Sequence, residues 1–161
     1  MQELTIRTEP TPNDPENVRE IVSSSGFFHD YEIPVAVELV QERIDKGESS
    51  GYHFVFADIN GQTISYACFG PIPCTKNSYD LYWIATKNEF RGKGVGKVVL
   101  NEAERLIKKL GGKTIYIETS SKPLYIPTRK FYISNGYKVE AQLKDFYDIN
   151  DDKIIFSKLL E

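Results

Sequence analysis

The stretch Arg91-Gly92-Lys93-Gly94-Val95-Gly96-Lys97 sets three glycines and three cations in seven positions, then turns apolar in a helical rhythm. Glycine in a helix interior costs about 1 kcal/mol relative to alanine, so this density at a helix start needs a reason. The chemistry these residue types suit is anion binding. The first turn of a helix carries N–H groups with no internal partner, and the peptide dipoles add partial positive charge there. Glycines let a ligand approach the backbone, and a pyrophosphate is a natural guest. Two phosphate motifs fail at named residues. A P-loop, G-x-x-x-x-G-K-[ST], requires glycine where Arg91 stands and a hydroxyl residue where Val98 stands. A dinucleotide fingerprint, G-x-G-x-x-G, requires glycine at Lys97 or at Val99. The pattern [RQ]-x-x-G-x-[GA] is met by Arg91, Gly94 and Gly96. A pyrophosphate ligand other than a dinucleotide is therefore expected on the Gly92–Lys97 turn.

The elements that must position this turn follow from periodicity. Leu4 and Ile6 alternate with polar residues in a first strand. A first helix is expected with Asp14 as N-cap, Pro15 at the first helical position, Val18, Ile21 and Val22 on its apolar face, and Gly26 at its end. A second runs from Glu32, with Val37, Val40 and Ile44 in register, and closes at Gly47. Two β-rich runs flank Asn60-Gly61, a hairpin signal. "YDLYWIAT", apolar on both faces, reads as a central strand. A third helix starts at Val95, with Val98, Val99, Ala103, Leu106, Ile107 and Leu110 at helical spacing, and stops at Gly111-Gly112. "TIYIET" is a fifth strand and "PTRKFYISNG" a short fourth helix. "YKVEAQL" and "KIIFSKLL" are the last strands, joined by an acidic loop, "KDFYDINDD". The order β-α-α-β-β-β-α-β-α-β-β describes an α/β (α+β type) fold with one seven-stranded mixed sheet and four helices. One domain spanning 1–161 is expected, because there is no repeat, linker or low-complexity tract.

Composition bounds the function. The chain is 40% hydrophobic and 27% charged with a net charge of −3, which fits a globular protein and gives no support to general nucleic-acid binding. The two cysteines, Cys68 and Cys74, form no disulfide framework and no metal-ligand cluster. We expect no metal and a reducing, cytoplasmic location. "MQELTIRTEP" lacks the charged and apolar regions of a signal peptide, and no apolar run approaches the length of a membrane span.

With these elements in place, the sequence resembles the GNAT-type N-acetyltransferases, which use acetyl-CoA. The matching residues are "LYWIAT" on the fourth strand, "RGKGVG" opening the third helix, and "TRKFYISNGY" on the fourth helix and the following strand. The resemblance implies that the backbone of Ile84, Ala85 and Thr86 pairs with the pantetheine arm. It implies that Arg91, Gly92, Lys93, Gly94, Val95, Gly96 and Lys97 hold the pyrophosphate. The fourth and fifth strands would run parallel and splay, and Tyr132 would lie beside the CoA sulfur. Arg129 and Lys130 are further candidates for phosphate contacts. In this sequence Tyr125 and Thr128 stand where many members carry Asn and Ala, so no contact from that Asn is transferred.

Attack on a thioester needs a neutral amine, and an alkyl amine has a pKa near ~10, so a general base is useful. Asp80 is the first candidate, at the position where the histone-modifying branch of the family holds a catalytic Glu; Glu118 is the second. By strand alternation Asp80, Tyr82 and Ile84 share a face. A backbone N–H near Ile84 or Ala85 would stabilise the oxyanion, and Tyr132 would serve the leaving thiolate. Phe28, Tyr82 and Glu118 are assigned to the acceptor, Phe28 because the loop between the first two helices borders the acceptor in this family. The expected function is transfer of acetyl from acetyl-CoA to a primary amine, of a small molecule or a peptide, by direct attack in a ternary complex. A non-catalytic acyl-CoA sensor or scaffold, or transfer of a longer acyl group, is the alternative. Dimers are frequent in the family, so a homodimer is possible.

Overall fold

A computed structural model describes residues 3–161. Seven strands and four helices alternate in the expected order: β1 (Leu4–Arg7), α1 (Asp14–Ser25), α2 (Glu32–Lys46), β2 (His53–Ile59), β3 (Gln62–Pro71), β4 (Ser78–Thr86), α3 (Val95–Lys109), β5 (Thr114–Ser120), α4 (Ile126–Ser134), β6 (Lys138–Asp148) and β7 (Asp151–Leu159). Short 3-10 turns cover Gly47–Ser50, Asn88–Phe90 and Pro123–Tyr125. The strands form one mixed sheet in the order β1-β2-β3-β4-β5-β7-β6. Among the described residues, no helix is long and apolar enough to cross a membrane. Internal contacts divide the chain into two compact units.

The first unit comprises Met1–Gly70 and Leu81–Leu106. Its hairpin turns at Asn60 and Gly61, with φ of 51° and 76°, the left-handed pair that a two-residue turn needs. Residues 63–70 of β3 are all buried, as a central strand covered on both faces should be. Val18, Ile21 and Val22 of α1 and Ala36 and Val40 of α2 pack on Phe54, Phe56, Tyr66 and Cys68. The buried residues of α2 are Ala36, Val40 and Arg43, and Val37 packs half-buried against the same core; Arg43 is accommodated because it donates to the Tyr52 carbonyl (3.0 Å) and pairs with Glu9 (3.1 Å). In α3, Val95, Val99 and Ala103 are buried as expected, whereas Val98 is exposed.

Asn13, not Asp14, takes the N-cap position of α1. The fully buried Asp14 carboxylate instead accepts from Arg7 Nη1 and Nη2 (2.7 and 2.6 Å), the Thr11 N–H (2.6 Å) and Asn17 Nδ2 (3.0 Å). Arg7 also donates to Asp58 (2.8 Å) and Thr63 (3.0 Å) and lies 4.4 Å over the Phe56 ring. Burial alone pushes the Asp14 carboxyl up. The hydrogen bonds from Arg7, Thr11 and Asn17, with the Arg7 charge, outweigh it and hold the group below the usual aspartate range.

The second unit comprises Pro71–Asp80 and Ile107–Glu161. Here β4 pairs with β5 in parallel, Ser78 to Asp80 against Thr114 to Tyr116. β5 pairs antiparallel with β7, and β7 with β6. The acidic segment expected as a loop is mostly strand: β6 continues to Asp148, and only Ile149 and Asn150 turn. Its register against β7 breaks twice, between Val139 and Ala141 and between Leu143 and Asp148. The wider break is held by carboxylates. Asp152 accepts from the Asp145 N–H (2.9 Å) and Gln142 Nε2 (2.7 Å), and Asp145 accepts from the Asn150 N–H (2.9 Å). Sequence patterning reads such a run as loop because its polar side chains serve the backbone instead of water.

Candidate functional site

In the first unit, β4 delivers the chain to the glycine turn. The Lys87 N–H donates to the Ile64 carbonyl on β3 at 2.8 Å, and Ser65 Oγ donates to the Ala85 carbonyl at 2.9 Å while lying 2.9 Å from Thr86 Oγ1. Backbone polar groups alternate sides along a strand. Lys87 and Ala85 therefore face β3, and the N–H and C=O of Ile84 and Thr86 face the opposite edge. The Ala85 carbonyl is already used within the sheet, which assigns any strand-like pairing to Ile84 and Thr86.

The turn is braced from α1. Buried Lys87 pairs with Glu20 at 3.2 Å, and the Asn88 N–H donates to Ser24 Oγ at 3.2 Å. Gly92 and Gly94 then adopt φ of 75° and 81°. A Cβ at either would meet nothing within 4 Å, so backbone conformation, and not crowding, demands glycine there. The first helical bond of α3 runs from the Val98 N–H to the Gly94 carbonyl at 3.3 Å. By helix geometry the N–H groups of Val95, Gly96 and Lys97 have no acceptor one turn back, and three exposed cations stand beside them in the chain: Arg91, Lys93 and Lys97. Donors, dipole and charge fit a pyrophosphate. The Arg91 guanidinium lies 4.3 Å over Phe27, and Lys93 lies 5.5 Å over Phe90.

The same unit holds an aromatic group. Phe28 meets Trp83 at 5.0 Å between ring centroids, and Tyr82 meets Tyr52 edge-on at 5.8 Å. Gly70 lies beneath Tyr82: a Cβ there would collide with the Gly51 carbonyl and sit 3.2 Å from the Tyr82 ring. Phe28 and Tyr82 are thus placed by packing, Phe28 half-buried and Tyr82 exposed. Ser65, Lys87 and Ser24 carry no motif and escape sequence reasoning; a serine in a buried apolar strand was the only available sign.

In the second unit, Asp80 aligns with Tyr116 on β5, and alternation puts Tyr116 and Glu118 on one face. Lys153 on β7 reaches Glu118 at 2.9 Å. Burial raises the Asp80 pKa, the Glu118 charge raises it further, and Lys153 partly opposes both. The two base candidates therefore share one cluster, with a lysine that sequence reading did not find. Tyr132 is buried among Phe131 (5.6 Å), Tyr137 (5.8 Å) and Phe156 (5.7 Å), and burial raises its pKa well above the ordinary phenol value. Its hydroxyl keeps its proton at neutral pH. Arg129 Nη1 donates to the Ser120 and Lys122 carbonyls at 2.7 and 3.0 Å, a role in the backbone; Lys130 is exposed.

Comparison with known proteins bears on the fold and the family. A crystal structure of a GNAT-family protein from Desulfovibrio desulfuricans superposes with a TM-score of 0.97 at 42% identity, covering 99% of this chain and 100% of that one. The PaiA N-acetyltransferase of Thermoplasma acidophilum, solved with coenzyme A, gives 0.76 at 24% identity over 98% and 99%. The ribosomal-protein-S18-alanine N-acetyltransferase of Escherichia coli gives 0.78 at 19% over 99% and 95%; at these two identities the likeness is one of fold. No curated protein matches the chain. The profile of the Acetyltransferase (GNAT) family matches residues 16–137, and the chain belongs to that family.

Proposed function

We propose that this chain, acting as one domain over 1–161, is an N-acetyltransferase that moves the acetyl group of acetyl-CoA to a primary amine of a small molecule or peptide. The observation that carries the reading is the start of α3, where Gly92 and Gly94 take left-handed φ values and exposed Arg91, Lys93 and Lys97 lie within one turn of the helix start in sequence. Ile84 and Thr86 supply the edge that pairs with the pantetheine arm. Asp80, its pKa raised by burial, is a stronger base than an ordinary aspartate and takes a proton from the ammonium. The amine nitrogen then attacks the thioester carbonyl, a C–N bond forms, the C–S bond breaks, and the electrons leave on sulfur. The Ile84 N–H, on the edge turned away from β3, serves the oxyanion. A thiol has a pKa near ~8.5, below that of buried Tyr132, so Tyr132 stabilises the thiolate as a hydrogen-bond donor without surrendering its proton. Phe28, Tyr82 and Glu118 are assigned to recognition of the amine acceptor. The S18-alanine enzyme and aminoglycoside 6'-N-acetyltransferases share the fold, and their names give amine acceptors, in keeping with this reading.

The test is thiol release from acetyl-CoA across a panel of amines, with mass spectrometry of the product. Amine-dependent release and an N-acetylated product are expected. Tight acetyl-CoA binding with no amine-dependent release from any member would overturn the reading.

A further inference from the structure

The Lys153 ammonium occupies what amounts to an amine-recognition site. Its Nζ lies 2.9 Å from Glu118 Oε2 and 4.0 Å from the Phe146 ring centroid. The Lys153 side chain is only 13% exposed, whereas that of Glu118 is half exposed. Asp80 joins the same face through its alignment with Tyr116. A carboxylate, an aromatic face and partial exclusion of water are what a substrate ammonium would seek; here the protein's own lysine takes the place.

The charge balance follows. Asp80 and Glu118 bring two negative charges and Lys153 one positive. The neighbouring pairs Lys122–Asp151 and Lys138–Glu140 are each neutral in sum. Within the Asp80–Glu118–Lys153 trio one negative charge is left over, enough to attract one ammonium. A second ammonium on the same acceptor would meet Lys153 as a like charge. We propose that Lys153 is a specificity-determining residue that fills the position of a second substrate ammonium, so that the acceptor class is monoamines rather than diamines or polyamines. The inference rests on the proposed function, with Asp80 and Glu118 at the acceptor.

The experiment compares n-butylamine with 1,4-diaminobutane on the wild type, Lys153→Met and Lys153→Arg. Met keeps the aliphatic stem against Phe146, and Arg keeps the charge. Transfer is read as kcat/KM for each amine, and binding separately by calorimetry with CoA present. The wild type should favour butylamine. Lys153→Met should move the diamine-to-monoamine ratio about tenfold toward the diamine, as removal of one nearby like charge implies, and Lys153→Arg should keep the wild-type ratio. A ratio unchanged in Lys153→Met, an equal shift in Lys153→Arg, or a wild type that already favours the diamine overturns the inference while leaving acetyl transfer intact. If no amine is acetylated but diamine binding still rises about tenfold in Lys153→Met, the transfer reading falls and the role of Lys153 stands.

Discussion

Replacing Tyr132 by Phe isolates the part of the mechanism that depends on a single hydroxyl. The ring sits among Phe131, Tyr137 and Phe156 at centroid distances of 5.6 to 5.8 Å, and Phe fills the same volume, so the packing should survive. The magnitude follows from the protonation state. With its pKa raised by burial, Tyr132 can offer the leaving sulfur a hydrogen bond but not a proton. A hydrogen bond to a charged group is worth about 1.5–3 kcal/mol, which at 1.4 kcal/mol per decade is roughly a 10- to 150-fold loss of kcat. Acetyl-CoA affinity should change less than about threefold, because the bond strengthens only as charge develops on sulfur. Thiol release at saturating acetyl-CoA and amine gives kcat, calorimetry gives the affinity, and a thermal melt confirms the fold. The raised pKa also forbids any loss of activity from Tyr132 ionising below about pH 10. A Tyr132→Phe enzyme with kcat within about twofold of wild type would refute the reasoning, as would a fall in affinity as large as the fall in rate.

Four further outcomes are expected. Gly92→Ala and Gly94→Ala should each weaken acetyl-CoA binding about tenfold, because alanine at these φ values costs roughly 1–2 kcal/mol and tilts the turn away from its bound form; unchanged affinity in both would place the pyrophosphate elsewhere. Asp80→Asn should remove the acidic limb of the kcat/KM profile, which lies above the ordinary aspartate range, and Lys153→Met should move that limb to higher pH, since Lys153 lowers the Asp80 pKa; movement to lower pH contradicts the cluster. Asp14→Asn should cost about 3 kcal/mol in denaturant melts, by uncoupling Arg7 from a buried partner. Because the folded Asp14 pKa is depressed, its stabilisation is full above about pH 4 and fades as pH falls further, a fading that Asp14→Asn should lack. Tyr66 has a fully buried hydroxyl with no hydrogen-bond partner among the described residues, so Tyr66→Phe should be neutral or more stable by about 1 kcal/mol; marked destabilisation would reveal a partner.

Much of this was legible in the sequence wherever a local signal decides structure. Asn60-Gly61 fixed its hairpin because few residue pairs tolerate two successive left-handed positions. Val95 marked the start of α3 because glycine gives way to helical periodicity there. Asp14 misled: its residue type suits an N-cap, but an arginine on β1 claimed its carboxylate, a contact local patterning does not register. The "KDFYDINDD" run misled for a related reason, since its carboxylates bond the backbone of the hairpin that contains them. In the candidate site, the glycine turn was legible because its chemistry lies in consecutive residues. The use of the Ala85 carbonyl by Ser65, the bracing of Lys87 by Glu20 and the meeting of Lys153 with Glu118 were not. Each joins residues far apart in the chain, through register that only the assembled sheet determines.

The two breaks in the β6–β7 register have a consequence for the protein at high concentration. A sheet that does not close ends in strands whose outer N–H and C=O groups are open to any passing chain. At one end, β1 is only four residues long, too short to template a stable addition. At the other, β6 runs for eleven residues with Val139, Leu143, Phe146 and Tyr147 exposed, a composition that invites fibrous aggregation. The bulges at Glu140 and across Lys144–Tyr147 interrupt the flat run of hydrogen-bonding groups before an incoming strand could align more than a few residues. Deleting the extra residues to regularise the hairpin would tidy the ladder and leave a chain prone to precipitate.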